Sequence, residues 1–186
     1  ASTSMRDERT VAGRPKLGVA IEAAGAFLGM LALPSDQAAL VSFNSTAVTL
    51  QELTGNRALL NAAFGRITVA RQTRIHLGVA LARQELGSPR RRAGNQAVMI
   101  VLTDGKANPD SPELAVGEAK AAQADGIAVF AIGLGTDATL DVDALKRMAS
   151  RPEYFFLAAD GEDLHAIYQA IAVTIPCPAE CFWGKR

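Results

Sequence analysis

Residues Ala97-Val98-Met99-Ile100-Val101-Leu102 form an unbroken apolar run that ends in Thr103-Asp104-Gly105. A strand that is apolar on both faces has to be covered on both faces, the condition met inside a parallel sheet flanked by helices. In open α/β sheets, ligands bind outside the carboxyl ends of the strands. That is where the run sets Asp104.

The rest of the chain supplies the layers such a strand needs. Apolar residues at 17, 21, 24, 28 and 31 step by four and three, predicting a helix over 16–33 that Pro34-Ser35-Asp36 stops. Short apolar strands are expected over 38–43 and 47–53. The Asn44-Ser45 connection between them permits only a hairpin, so the second is an antiparallel edge. Asn56 is positioned to cap a helix carrying Leu59, Leu60, Ala63, Phe64 and Ile67, and Thr73 to cap one carrying Ile75, Val79, Ala82 and Leu86. Ser111-Pro112 starts another helix that Gly126 ends. Strands over 127–134 and 154–157 and helices over 141–149 and 162–175 complete the alternation. The fold class is α/β: a doubly wound, mostly parallel sheet with flanking helices and one antiparallel edge strand.

One inconsistency has a structural implication. Ser2-Thr3-Ser4 reads as a loop leaving a strand, yet no strand precedes it. The expectation is a domain over residues 1–175 that lacks its first strand, about ten upstream residues, followed by a tail over 176–186.

Ser2-Thr3-Ser4 and Gln72-Thr73-Arg74 both bring hydroxyls toward the rim that carries Asp104. A carboxylate with hydroxyls from Ser2, Ser4 and Thr73, and no His or Cys, suits a hard divalent cation. Each residue also has an ordinary explanation: serines cap helices, Thr73 fits an N-cap, and Asp-Gly is a common turn. Their coincidence on adjacent loops outweighs these separate explanations. Arg74, Asn44 and Asn108 fall on loops at the same sheet end and are candidate rim residues for a partner. His76 reads as a surface or packing residue, and His165 has no constellation around it.

Ser2-x-Ser4, Thr73 and Thr103-Asp104-Gly105, in this order, resemble the von Willebrand factor type A domain, in which three such segments form the metal-ion-dependent adhesion site. The family's first motif is Asp-x-Ser-x-Ser, and Ala1-Ser2-Thr3-Ser4-Met5 matches it from the second position, the leading Asp falling before Ala1. The resemblance implies that Ser2, Ser4, Thr73 and Asp104 hold Mg²⁺ or Mn²⁺, and that an Asp or Glu carboxylate of a protein partner completes the coordination. Without the leading Asp, the chain as written is expected to bind metal poorly. Neutral hydroxyls leave the cation electrophilic, which suits gripping an acid. The site lacks the second metal or positioned histidine that hydrolysis would need, so the expectation is a non-enzymatic binding module. Adhesion-type A domains are often extracellular or surface-tethered, although intracellular members exist.

Charge and composition narrow the field further. Nineteen basic and nineteen acidic residues give a net charge of +0, which argues against nucleic-acid binding. Arg90-Arg91-Arg92 reads as a solvated loop. No segment has the length of a membrane span, and the oligomeric state is open. Cys177 and Cys181 are too few for a structural zinc site and leave a local disulfide or two thiols as alternatives. Gly133-Leu134-Gly135-Thr136-Asp137-Ala138 matches a dinucleotide fingerprint, making a nucleotide-dependent oxidoreductase the rival function. The short, late helix at Asp141 argues against it. A type A scaffold with a vestigial metal site is the third reading.

Overall fold

A computed structural model describes residues 3–10, 13–136 and 138–175. Strand β1 (Ala38–Phe43) pairs antiparallel with β2 (Ala47–Thr54). The Asn44 N–H closes the turn onto the Thr46 carbonyl at 2.8 Å, and the Asn44 side-chain oxygen accepts from the Thr46 N–H at 3.1 Å. Strands β3 (Val98–Thr103), β4 (Ala128–Leu134) and β5 (Phe155–Ala158) form a second, parallel sheet in the order β3-β4-β5. The expected antiparallel edge is therefore present, but the strands divide into two sheets.

Helices cover both faces. On one side α1 (Thr3–Asp7), α2 (Lys16–Met30) and α7 (Gly161–Thr174) bury Met5, Val19, Ala23, Leu164 and Ile171 against Phe130 and Ile132 of β4. On the other, α4 (Ile75–Leu86), α5 (Pro112–Ala124) and α6 (Val142–Met148) bury Val79, Val116, Ala119 and Leu145 against Val101, Val129 and Ala131. Helix α3 (Arg57–Phe64) is capped by the Asn56 side chain, as its sequence predicts, and buries Leu60 and Ala63. The Ser111 hydroxyl caps α5 with Pro112 in its first turn. Gly126 follows that helix at φ +79°, a conformation that strains any residue carrying a Cβ.

Four expectations need correction. Ser2-Thr3-Ser4 was to be an open loop, but Thr3 and Ser4 begin the helical turn α1, which carries Met5 to 7% exposure in the core. The helix over 16–33 stops at Met30, because the residues ahead of Pro34 are held extended. Thr73 does not cap α4: Arg74 takes that position without a side-chain cap bond. Both faces of β3 were to be covered, yet only Met99, Val101 and Thr103 are buried, while Val98, Ile100 and Leu102 are half-buried. The full covering falls on β4, where Val129 through Leu134 are all buried because that strand lies between two neighbours. Cys177, Cys181 and the rest of the 176–186 tail lie outside the described residues.

Candidate functional site

Asp104 follows the last residue of β3 and is 2% exposed. The Thr103 hydroxyl donates to the Gly105 carbonyl at 3.1 Å, which folds the chain tightly around it. A carboxylate so far from water requires a cationic or hydrogen-bonding environment, and Lys16, the first residue of α2, provides a charge. Its ammonium lies 3.9 Å from Asp104 Oδ2 and 2.7 Å from Glu8 Oε2, and the residue is 5% exposed.

The second loop is fastened to the same rim. The Thr73 N–H donates to the Asn108 carbonyl at 2.9 Å, and the Asn108 N–H returns a bond to the Thr73 carbonyl at 3.1 Å. The Arg74 N–H donates to the Asn44 carbonyl at 3.0 Å. These three backbone bonds draw together the loops after β1 and β3 and the segment before α4. Four of the candidate residues thus share one sheet end: Thr73, Arg74, Asn44 and Asn108. Thr73 is 8% exposed, whereas Asn108 is open to solvent. Ser4 is half-buried in α1, and Ser2 lies outside the described residues.

The rim candidates already have internal duties. The Arg74 guanidinium lies 3.5 Å from Asp110 Oδ2 and 3.3 Å from the Gln72 side-chain oxygen. His76 Nδ1 stands 3.8 Å from the same Asp110 oxygen. The Asn44 carboxamide is spent on its own turn and on the Thr68 carbonyl at 3.3 Å. Asn108 retains an exposed side chain.

Sequence reasoning missed Lys16 and Asp110. A signal existed for the first: a lysine opening a helix opposes the helix dipole and needs nearby acids to hold it there. Asp110 in Asn-Pro-Asp-Ser-Pro carries no comparable mark. Arg90-Arg91-Arg92 is an exposed loop, as read, and its side chains also tie it to neighbouring segments. Arg90 makes a two-pronged bond to Glu85 at 2.9 and 2.7 Å, Arg91 bonds the Asn95 carbonyl, and Arg92 bonds the Pro34 and Ser35 carbonyls.

The Gly133 loop is explained by packing. A Cβ at Gly133 would meet Leu140 at 2.7 Å, and Gly135 adopts φ +144°, where a side chain is strained. Helix α6 starts only at Val142, under the Asp141 cap, well after the glycines in the chain. Among the described residues, no group of three or more His, Cys, Asp or Glu side chains is placed to hold a metal. Any cation at this rim would rest on hydroxyls and Asp104.

Residues 2–170 match the von Willebrand factor type A domain, and the chain belongs to that family. Among solved structures, proximal thread matrix protein 1 from the mussel byssus is similar at 25% identity and a TM-score of 0.77, over 94% of this chain and 44% of that one. A second structure of that protein, described as having a zinc-occupied metal-ion-dependent adhesion site, is similar at 26% identity and a TM-score of 0.74, over 90% of this chain and 42% of that one. The pilus adhesin SpaC from Lactobacillus rhamnosus GG shares the fold at 18% identity and a TM-score of 0.77, over 94% of this chain and 29% of that one. The chain thus spans less than half the length of the byssus protein.

Proposed function

We propose that this chain is a divalent-cation-dependent protein-binding module, not an enzyme. Ser2, Ser4, Thr73 and Asp104 hold Mg²⁺ or Mn²⁺, and an Asp or Glu carboxylate from a protein partner completes the shell. The observation that carries the reading is the buried Asp104 carboxylate at the carboxyl end of β3, on a loop to which the Thr73 segment is hydrogen-bonded. The donor chemistry fits a hard cation, since oxygen atoms alone are on offer. The family match and the zinc-occupied site of the byssus protein support the same assignment. A setting outside the cell or at its surface is supported by the byssus and pilus contexts of the similar proteins.

Titration of the chain with Mn²⁺, followed by electron paramagnetic resonance, tests the site, with a second form carrying one added Asp ahead of Ala1. The added Asp should tighten binding, and Asp104→Ala should weaken it at least tenfold in both forms. Equal affinity with and without the Asp104 carboxylate would falsify the site assignment. One observation favours a second reading, a scaffold whose metal site is vestigial: the Lys16 ammonium already stands beside Asp104. Partner binding that survives a chelator would select that reading.

A further inference from the structure

Arg71 differs from the other arginines of this chain. Every other described arginine reaches a carboxylate or a backbone carbonyl, as Arg83 does Asp125 and Arg57 the Leu28 carbonyl. The Arg71 side chain is exposed and meets no hydrogen-bond or ion-pair partner among the described residues. Lys106 is likewise exposed and unpaired among them.

Both cations stand at the rim. Arg71 comes two residues before Thr73, and Lys106 two after Asp104. Two residues of chain span at most about 7 Å, so each α-carbon lies within that distance of one belonging to a proposed metal ligand. The reciprocal backbone bonds of Thr73 and Asn108 hold the two segments side by side as an antiparallel bridge. Local acids do not answer this charge. Residues 68–74 and 105–111 carry Arg71, Arg74 and Lys106 against Asp110 alone. Asp110 is drawn between Arg74 and His76 at 3.5 and 3.8 Å, with its Oδ2 shut away from solvent.

We propose that Arg71 and Lys106 select a partner segment carrying acids at alternate positions. Its central carboxylate completes the cation's shell between Thr73 and Asp104, and the outer two pair with Arg71 and Lys106. The spacing fits: alternate side chains of an extended segment share a face about 7 Å apart. Exposed ion pairs contribute little singly, but here both would form on a segment already held at its centre, as intramolecular contacts. A short acidic peptide suits the charge better than a long polyanion, because the chain as a whole has a net charge of +0 and no extended positive field. The inference rests on the cation-site reading above and names the partner chemistry of that site.

The test measures, by fluorescence anisotropy in excess Mn²⁺, the binding of labelled Asp-Gly-Asp-Gly-Asp and Gly-Gly-Asp-Gly-Gly peptides to the full chain. The three-acid peptide should bind about tenfold more tightly or better. Arg71→Gln with Lys106→Gln should abolish most of that advantage at an unchanged melting temperature, since neither side chain supports the fold. Equal, measurable affinity of the two peptides for the unaltered chain overturns the proposal and leaves the cation site standing. An advantage that persists in the double variant also overturns it. An advantage that needs Arg71 and Lys106 but withstands both EDTA and Asp104→Ala upholds the acidic partner and sinks the cation reading. Failure of both peptides to bind sinks the two together. Tighter binding of a heparin disaccharide than of the three-acid peptide would make the ligand a sulfated glycan and overturn the proposal.

Discussion

The Lys16 ammonium stands 3.9 Å from the buried Asp104 carboxylate, so the rim of the sheet contains its own cation. Any divalent ion approaching Asp104 meets that charge at close range, where a unit pair interacts by on the order of 4 kcal/mol at an effective dielectric of 20. Lys16→Met should therefore tighten Mn²⁺ binding several-fold, measured by calorimetry, and lower the melting temperature of the metal-free chain. Weaker metal binding in the variant would show that Lys16 supports the site instead of competing for it.

Asp110 joins Arg74 and His76 beneath the second loop, at 3.5 and 3.8 Å. Asp110→Asn removes the charge that gathers them. The amides of Thr73 and Asn108, paired with each other across the loops, should then exchange with solvent several times faster. Exchange at Gly126, remote from the loop, serves as the internal reference.

Glu85 links three segments through bonds to Arg90 and to the Leu53 N–H at 2.9 Å. The Arg90 guanidinium, foremost, holds its carboxyl below the usual glutamate range, helped by the Leu53 N–H and opposed by burial. A group whose value is lowered on folding stabilises the fold above its unfolded value, and that contribution is lost as pH falls through the folded value. Glu85→Gln should cost about 1–3 kcal/mol near neutral pH. The loss should shrink below about pH 4. Denaturant melts at several pH values would show whether the two curves converge.

Gly78 lets α4 approach β1 closely: a Cβ there would lie 2.5 Å from the Phe43 ring. Gly78→Ala places a methyl group against that ring, and overpacking of this kind costs roughly 1–3 kcal/mol. The helix-propensity gain of alanine, about 1 kcal/mol, offsets part of it. A net loss in urea melts is expected, and Gly78→Ala with Phe43→Leu should recover most of it.

Local chemistry made much of the fold readable. The Asn56 and Ser111 caps, the Gly126 stop and the Asn44 turn each act within a few residues, and each predicted element boundary there matches its helix or turn. The period of the apolar residues separated helices from strands for the same reason. The placement of Asp104 just beyond β3, with the Thr73 loop beside it, was legible because a strand end has a fixed relation to its sheet. What was not legible came from contacts distant in sequence. Thr73 looked like a cap but its backbone is paired with that of Asn108, and the Asp110 carboxylate beside Arg74 was not foreseen.

The order of residues alone thus determined the α/β alternation, the hairpin and the turn that carries Asp104, since periodicity, capping and turn preference are properties of short stretches. Only the tertiary structure decided that β4 rather than β3 is sealed on both faces, that Lys16 faces Asp104, and that β1 and β3 belong to separate sheets. Burial and charge pairing depend on which distant segments meet, and no local pattern encodes that meeting.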